Sequence, residues 1–117
     1  MNVVAGILVG LVAALHLYFL VLEMFLWTTP TGRRTFGLDA DFAESSRTLA
    51  ANQGLYNGFL AAGLVWGLVA GRSDVEVFFL ACVVVAGVYG AATVNRRILV
   101  VQAVPAALAL LAVLLSR

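Results

Sequence analysis

The sequence predicts an all-α integral membrane protein, an antiparallel up-down bundle of four transmembrane helices with one long cytoplasmic loop. Three observations carry this. Of the 117 residues, 63% are hydrophobic and 11% charged, whereas soluble domains average roughly 45–50% apolar and about 25% charged. The charges fall in short stretches that separate uncharged runs of about 20 residues, the length that crosses a bilayer. A mean hydropathy of +1.05 leaves more apolar surface than a water-soluble globule of this length can hide.

Each element follows in order. Val3–Leu22 is the first uncharged run, and its helix is expected to continue through Glu23 to Trp27, spanning about 3–27. MNVVAGI has no basic n-region and the run is too long for a signal h-region, so a retained helix is expected. Pro30 and Gly32 are expected to stop it. The loop 28–48, TTPTGRRTFGLDADFAESSRT, has room for a short amphipathic helix from Asp39, whose acidic first turn suits the helix dipole. Phe36, Leu38 and Phe42 give it apolar contacts with the bundle or the membrane interface. The remaining spans are expected at 49–70, 76–95 and 98–115, joined by GRSDVE and by little more than NRR. Links that short make the helices antiparallel neighbours in a single domain, 1–117.

Arginine fixes the orientation, since basic residues near span ends favour the cytoplasm. Arg33, Arg34, Arg47, Arg96 and Arg97 fall on one side, Arg72 and Arg117 on the other. Loops 28–48 and 95–97 are therefore expected inside, with both termini outside the cytoplasmic membrane.

Lipid gives no hydrophobic drive between helices, so packing relies on small residues. Gly6–Gly10 forms one small-xxx-small step. Gly54 and Gly58 form a ridge with Ala62, Gly63 and Gly67 another with Gly71, while Gly87 and Gly90 pair with Ala91 and Ala86. Such ridges serve contacts within the chain and equally permit a homodimer.

Several function classes are excluded. A net charge of +1 gives no footprint for nucleic acid. The lone Cys82 precludes a CxxC pair, and one His with a distant Glu supplies too few metal ligands. There is no GxSxG, HExxH or phosphate-cradling loop, and no cofactor is expected.

The polar residues of the spans are distributed unevenly. His16, Glu23 and Trp27 on the first span, Gln53, Tyr56 and Asn57 on the second, Tyr89 on the third and Gln102 on the fourth all fall in the cytoplasmic half. Spacings of three, four and seven residues put those of each helix on a shared face. Polar groups in hydrocarbon face the bundle interior or a wet cavity. The expectation is a polar pocket opening to the cytoplasm. The same residues also serve as interhelical hydrogen-bonding groups, worth about 0.6 kcal/mol each, and both readings stand at this point. The pocket reading implies binding or transport of a small amphiphilic or lipophilic molecule. One alternative is an intramembrane enzyme of isomerase type, with His16 and Glu23 as acid and base about 10.5 Å apart along the helix. The other is a structural or partner-binding subunit. Membrane lipids are the partners that every reading shares.

The pattern His16-x6-Glu23-x3-Trp27, Phe36-Gly37, NQGLYNGFLAAGL, AGVYGA and Gln102-x2-Pro105 resembles the bacterial and fungal small membrane proteins called domain of unknown function 1304. The resemblance covers nearly the whole chain, with NQGLYNGF its most specific piece. It implies a four-helix integral membrane protein and names no substrate.

Overall fold

The computed structural model describes residues 2–117. Among these it is all-α, with helices α1 (Val3–Met24), α2 (Pro30–Phe36), α3 (Ala40–Ser45), α4 (Arg47–Ala70), α5 (Ser73–Thr93) and α6 (Val104–Leu115). A π-helical turn, Leu99–Ala103, leads into α6.

Local chemistry explains the ends. Asn2 caps α1, its Oδ1 accepting from the Ala5 N–H at 2.8 Å. The helix stops at Met24 rather than Trp27, because the Leu26 N–H reaches back to the Val21 carbonyl and the Thr29 hydroxyl donates to Leu26 O. Pro30 starts a helix rather than only stopping one. It sits at the first position of α2, where its missing N–H costs nothing, and the Thr29 hydroxyl ahead of it accepts from the Gly32 N–H. Gly32 is buried where a Cβ would collide with the Leu26 carbonyl. Gly37 ends α2 at φ 67°, a left-handed cap that glycine adopts without penalty. Asp39 caps α3, accepting from the Phe42 N–H at 2.7 Å. The loop 28–48 thus holds two short helices where the sequence predicts one.

The chain forms two compact units. The first comprises the chain up to Ala14 together with Leu60–Arg117; the second is Leu15–Phe59.

The core of the first unit is built from Ala5, Val9 and Val12 of α1, Leu64 of α4, Leu80 and Val83 of α5, and Ala106, Ala109 and Val113 of α6. Close approach comes from glycine. A Cβ on Gly87 would stand 2.8 Å from both Cβ and N of Ala103, so α5 and the π turn meet backbone to backbone. Gly63 lies against the Phe79 ring and Gly90 against Ile98. Gly6 and Gly10, by contrast, have nothing within 4 Å of an added Cβ, so this step makes no contact among the described residues. The α4–α5 turn is closed by Gly71 at φ 64° and by Arg72, which pairs with Asp74 at 2.6 Å and lies 5.9 Å from the Trp66 ring centroid. The Asp74 hydrogen bond raises the Arg72 pKa above its ordinary value.

Pro105 has no N–H and its ring crowds the carbonyl four residues back. The chain absorbs this by widening the preceding turn: the Val104 N–H reaches Leu99 O, five residues away. The predicted span 98–115 is therefore a π turn followed by an α-helix.

Two helices, α1 and α5, are long and apolar enough to cross a membrane, at 22 and 21 residues. Leu99–Leu115 is apolar but shorter. Asn52, Gln53 and Asn57 lower the hydropathy of α4. The outward faces are apolar as well: Ile7 and Leu11 on α1, Phe78 and Val85 on α5 and Leu111 on α6 are exposed. Helices apolar on all sides are buried or lipid-facing.

The glycine contacts separate two substitutions of similar chemistry. Gly87→Val is expected to cost about 1–3 kcal/mol by overpacking against Ala103. Gly10→Ala should stay within about 0.5 kcal/mol of the parent. Thermal unfolding in detergent measures both, and equal effects would rule out the packing described for α5.

Candidate functional site

The Leu15–Phe59 unit carries the polar cluster, and Gly54 sets its geometry. A Cβ at Gly54 would stand 2.6 Å from Met24 Cγ, 3.1 Å from Glu23 Cβ and 3.3 Å from the Leu20 carbonyl oxygen. At Gly58 it would stand 2.7 Å from Leu20 Cδ1. The final turns of α1 therefore lie directly on the first half of α4. Asn57 is three residues beyond Gly54 and so shares its face. It is 6% exposed, and its Nδ2 donates to Glu23 Oε1 at 2.5 Å. This bond joins residues 34 apart in sequence and links the two helices side chain to side chain.

His16 lies seven residues before Glu23, two turns back on the same face of α1. It is completely buried, following the stripe of Ala5, Val9 and Val12, and its ring meets Phe19 edge-on with centroids 5.4 Å apart. Past the end of α1, the Trp27 indole N–H donates to Ser46 Oγ at 3.0 Å. Ser46 Oγ donates in turn to the Phe42 carbonyl at 2.6 Å. The Trp27 ring packs on Phe36, centroids 4.9 Å apart. Trp27 thus contacts α2 through Phe36 and the α3–α4 junction through Ser46.

These positions can be set beside known proteins. The family model described as "Protein of unknown function (DUF1304)" matches residues 10–114. The chain belongs to the DUF1304 family. It is similar to a Lactococcus lactis protein described as "Uncharacterized protein YpaA", 32% identical over 115 residues that cover 95% of this chain and 97% of the relative. No solved structure matches it.

Of the eight residues expected to line one pocket in this DUF1304 protein, His16, Glu23, Trp27 and Asn57 take inward or paired positions within the Leu15–Phe59 unit. Gln53 and Tyr56 do not: both are exposed, Tyr56 by 53%. The inward stripe of α4 runs Gly54, Asn57, Ala61, Leu64, because backbone approach at glycine fixes which face turns in. Tyr89 and Gln102 belong to the other unit. Tyr89 is 70% exposed and ends a shallow apolar groove along α5 that also includes Phe78, Cys82 and Val85. Among the described residues, no group of three or more His, Cys, Asp or Glu side chains comes together to hold a metal.

Sequence reasoning gives no role to Glu76, which ends the GRSDVE connection and begins the predicted span 76–95. It is completely buried, and neither carboxylate oxygen has a hydrogen-bond partner among the described residues. Gly67 makes room for it: a Cβ there would stand 2.5 Å from Glu76 Cγ. The signal was present in the periodicity, since Glu76, Leu80, Val83 and Gly87 follow i, i+4, i+7, i+11 on the buried face of α5.

The two carboxylates predict opposite outcomes. Asn57→Leu removes the donor to Glu23 and should destabilise by about 1–3 kcal/mol, the cost of leaving a buried polar group unmatched. Glu76→Leu removes a buried carboxylate that none of the described residues hydrogen-bonds and should stabilise by about 1–3 kcal/mol on the same grounds. Unfolding midpoints in one detergent test the pair; a loss of stability in Glu76→Leu would mean that this carboxylate has a partner.

Proposed function

We propose that this DUF1304 protein is a multi-pass protein of the cytoplasmic membrane that binds or transports a small amphiphilic molecule, whose polar end engages Glu23 and Asn57. The observation that carries the reading is a carboxylate within a helix apolar enough to cross a membrane, held by a neutral amide. Ionisable groups at such positions are costly and mark ligand, ion or proton sites by default. The apolar outward faces of α1, α5 and α6 support four spans, at α1, α4, α5 and the Leu99–Leu115 stretch. The arginine distribution supports termini outside, with loops 28–48 and 95–97 cytoplasmic. The α2–α3 segment, tied down by Trp27, would cap the site from the cytoplasmic side.

A structural role is the second reading. The Asn57–Glu23 hydrogen bond and the Gly54 contact would hold two helices in register with no ligand at all. Acid–base catalysis draws less support, because His16 is sealed from solvent and from any substrate that does not first displace its neighbours.

Two measurements test this. In a Cys82→Ser background, Ser45→Cys should resist a membrane-impermeant maleimide in intact cells and Arg117→Cys should react; the reverse would overturn the orientation. Native mass spectrometry of protein released from lipid nanodiscs should find a co-purifying small molecule that Asn57→Leu loses. Bare protein in every preparation would favour the structural role.

A further inference from the structure

The partner that Glu23 has, and the partners it lacks, bear on what it would bind. Asn57 offers an N–H, which a carboxylate and a carboxylic acid both accept. The bond between α1 and α4 therefore does not fix the charge on Glu23. The unit's other charged or titratable groups are His16 and Tyr18 on α1, Arg33 and Arg34 on α2, Asp39, Asp41 and Glu44 at α3, and Arg47 and Tyr56 on α4. The Arg–carboxylate pair among them is Arg47–Glu44, 3.7 Å apart and exposed on both sides. Arg33 has a buried Nε with no hydrogen-bond partner among the described residues, so it does not hydrogen-bond Glu23 through that nitrogen. His16 stands about 10.5 Å back along the helix. No arginine of the described residues forms an ion pair with Glu23.

A half-buried carboxylate without a cation is met by water, by a proton or by a cation brought from outside. Small inorganic cations need several oxygen ligands, and this site presents one carboxylate with an amide turned to it as donor. An organic cation is a better match. Its charge is spread, its hydration is weak, and its apolar groups suit the Phe19 and Leu20 side chains on this stretch of α1. The Trp27–Phe36 ring pair, just beyond the helix end, adds aromatic faces that attract cations.

We infer that the ligand of this site is a hydrophobic organic cation, a quaternary ammonium, a phosphonium or a protonated amphiphilic amine, which competes with a proton for the Glu23 carboxylate. This rests on the ligand-binding reading above and adds the charge of the ligand to it.

The experiment uses the full chain in neutral-lipid nanodiscs with two probes of similar shape, tetraphenylphosphonium and uncharged triphenylphosphine oxide. Glu23→Gln keeps an oxygen that can accept from Asn57, and Glu44→Gln serves as a surface control. Tetraphenylphosphonium should bind the parent, lose at least about tenfold in affinity in Glu23→Gln, and keep its affinity in Glu44→Gln. Binding to the parent should weaken as pH falls from about 8 to about 3, a range that takes in the protonation of carboxylates. The pH series needs no variant and decides the matter if Glu23→Gln does not fold. If both probes bind parent and Glu23→Gln alike, the amphiphile reading survives and the cation is overturned. The same holds if only the phosphine oxide binds. If neither probe binds the parent, both readings fall together.

Discussion

The Leu15–Phe59 unit depends on the absence of one methyl group. At Gly54 the backbone of α4 comes so close to Glu23, Met24 and the Leu20 carbonyl that no side chain fits between them. In water such a contact would be one among many, because burial of any apolar face draws helices together. In the membrane proposed for this chain that drive is missing, and association rests on dispersion at short range and on hydrogen bonds. Gly54 supplies the first and thereby makes the second possible. Asn57 reaches Glu23 only because the two backbones are already in contact one turn earlier.

This ordering explains what the sequence made legible and what it did not. Uncharged runs located the long helices to within a few residues, and polar residues in those runs singled out Glu23 and Asn57. The facing of α4 was not legible in the same way. A polar residue in an apolar helix reads as inward by itself, so Gln53 and Tyr56 were assigned to the interior with Asn57. In this half of α4 the glycines that let α1 approach are Gly54 and Gly58, and the face they define holds Asn57 but neither Gln53 nor Tyr56. Pro30 misled for a related reason. Proline is read as a stop inside a helical pattern, yet after Thr29 it is a good first residue, and α2 begins there. Glu76 was hidden by its position: it closes the polar stretch GRSDVE and opens the predicted span 76–95, so it reads as an end residue, whereas α5 starts at Ser73 and carries it on the buried face.

The two carboxylates show how differently one residue type is accommodated. Glu76 occupies a space that Gly67 leaves open, and none of the described residues hydrogen-bonds its oxygens. Leaving such a group without a hydrogen bond in an apolar core carries a desolvation cost. Glu23 sits in a helix of comparable apolarity but accepts from Asn57, so its ionised form is solvated in part by the protein. Of the two, Glu23 is the one whose surroundings suit either protonation state.

That difference bears on why an amide, rather than an arginine, faces Glu23. The chain has seven arginines and three lie in or beside the same loop, so a cation was available. An Arg–Glu pair at this position would offer two charge-assisted bonds in place of one, against the cost of desolvating a second charge. It would also have fixed the carboxylate in its charged form and occupied it. Asparagine holds the helices together with one N–H and leaves the charge of Glu23 open to change. An amide in that place leaves the carboxylate room for a second partner that comes and goes.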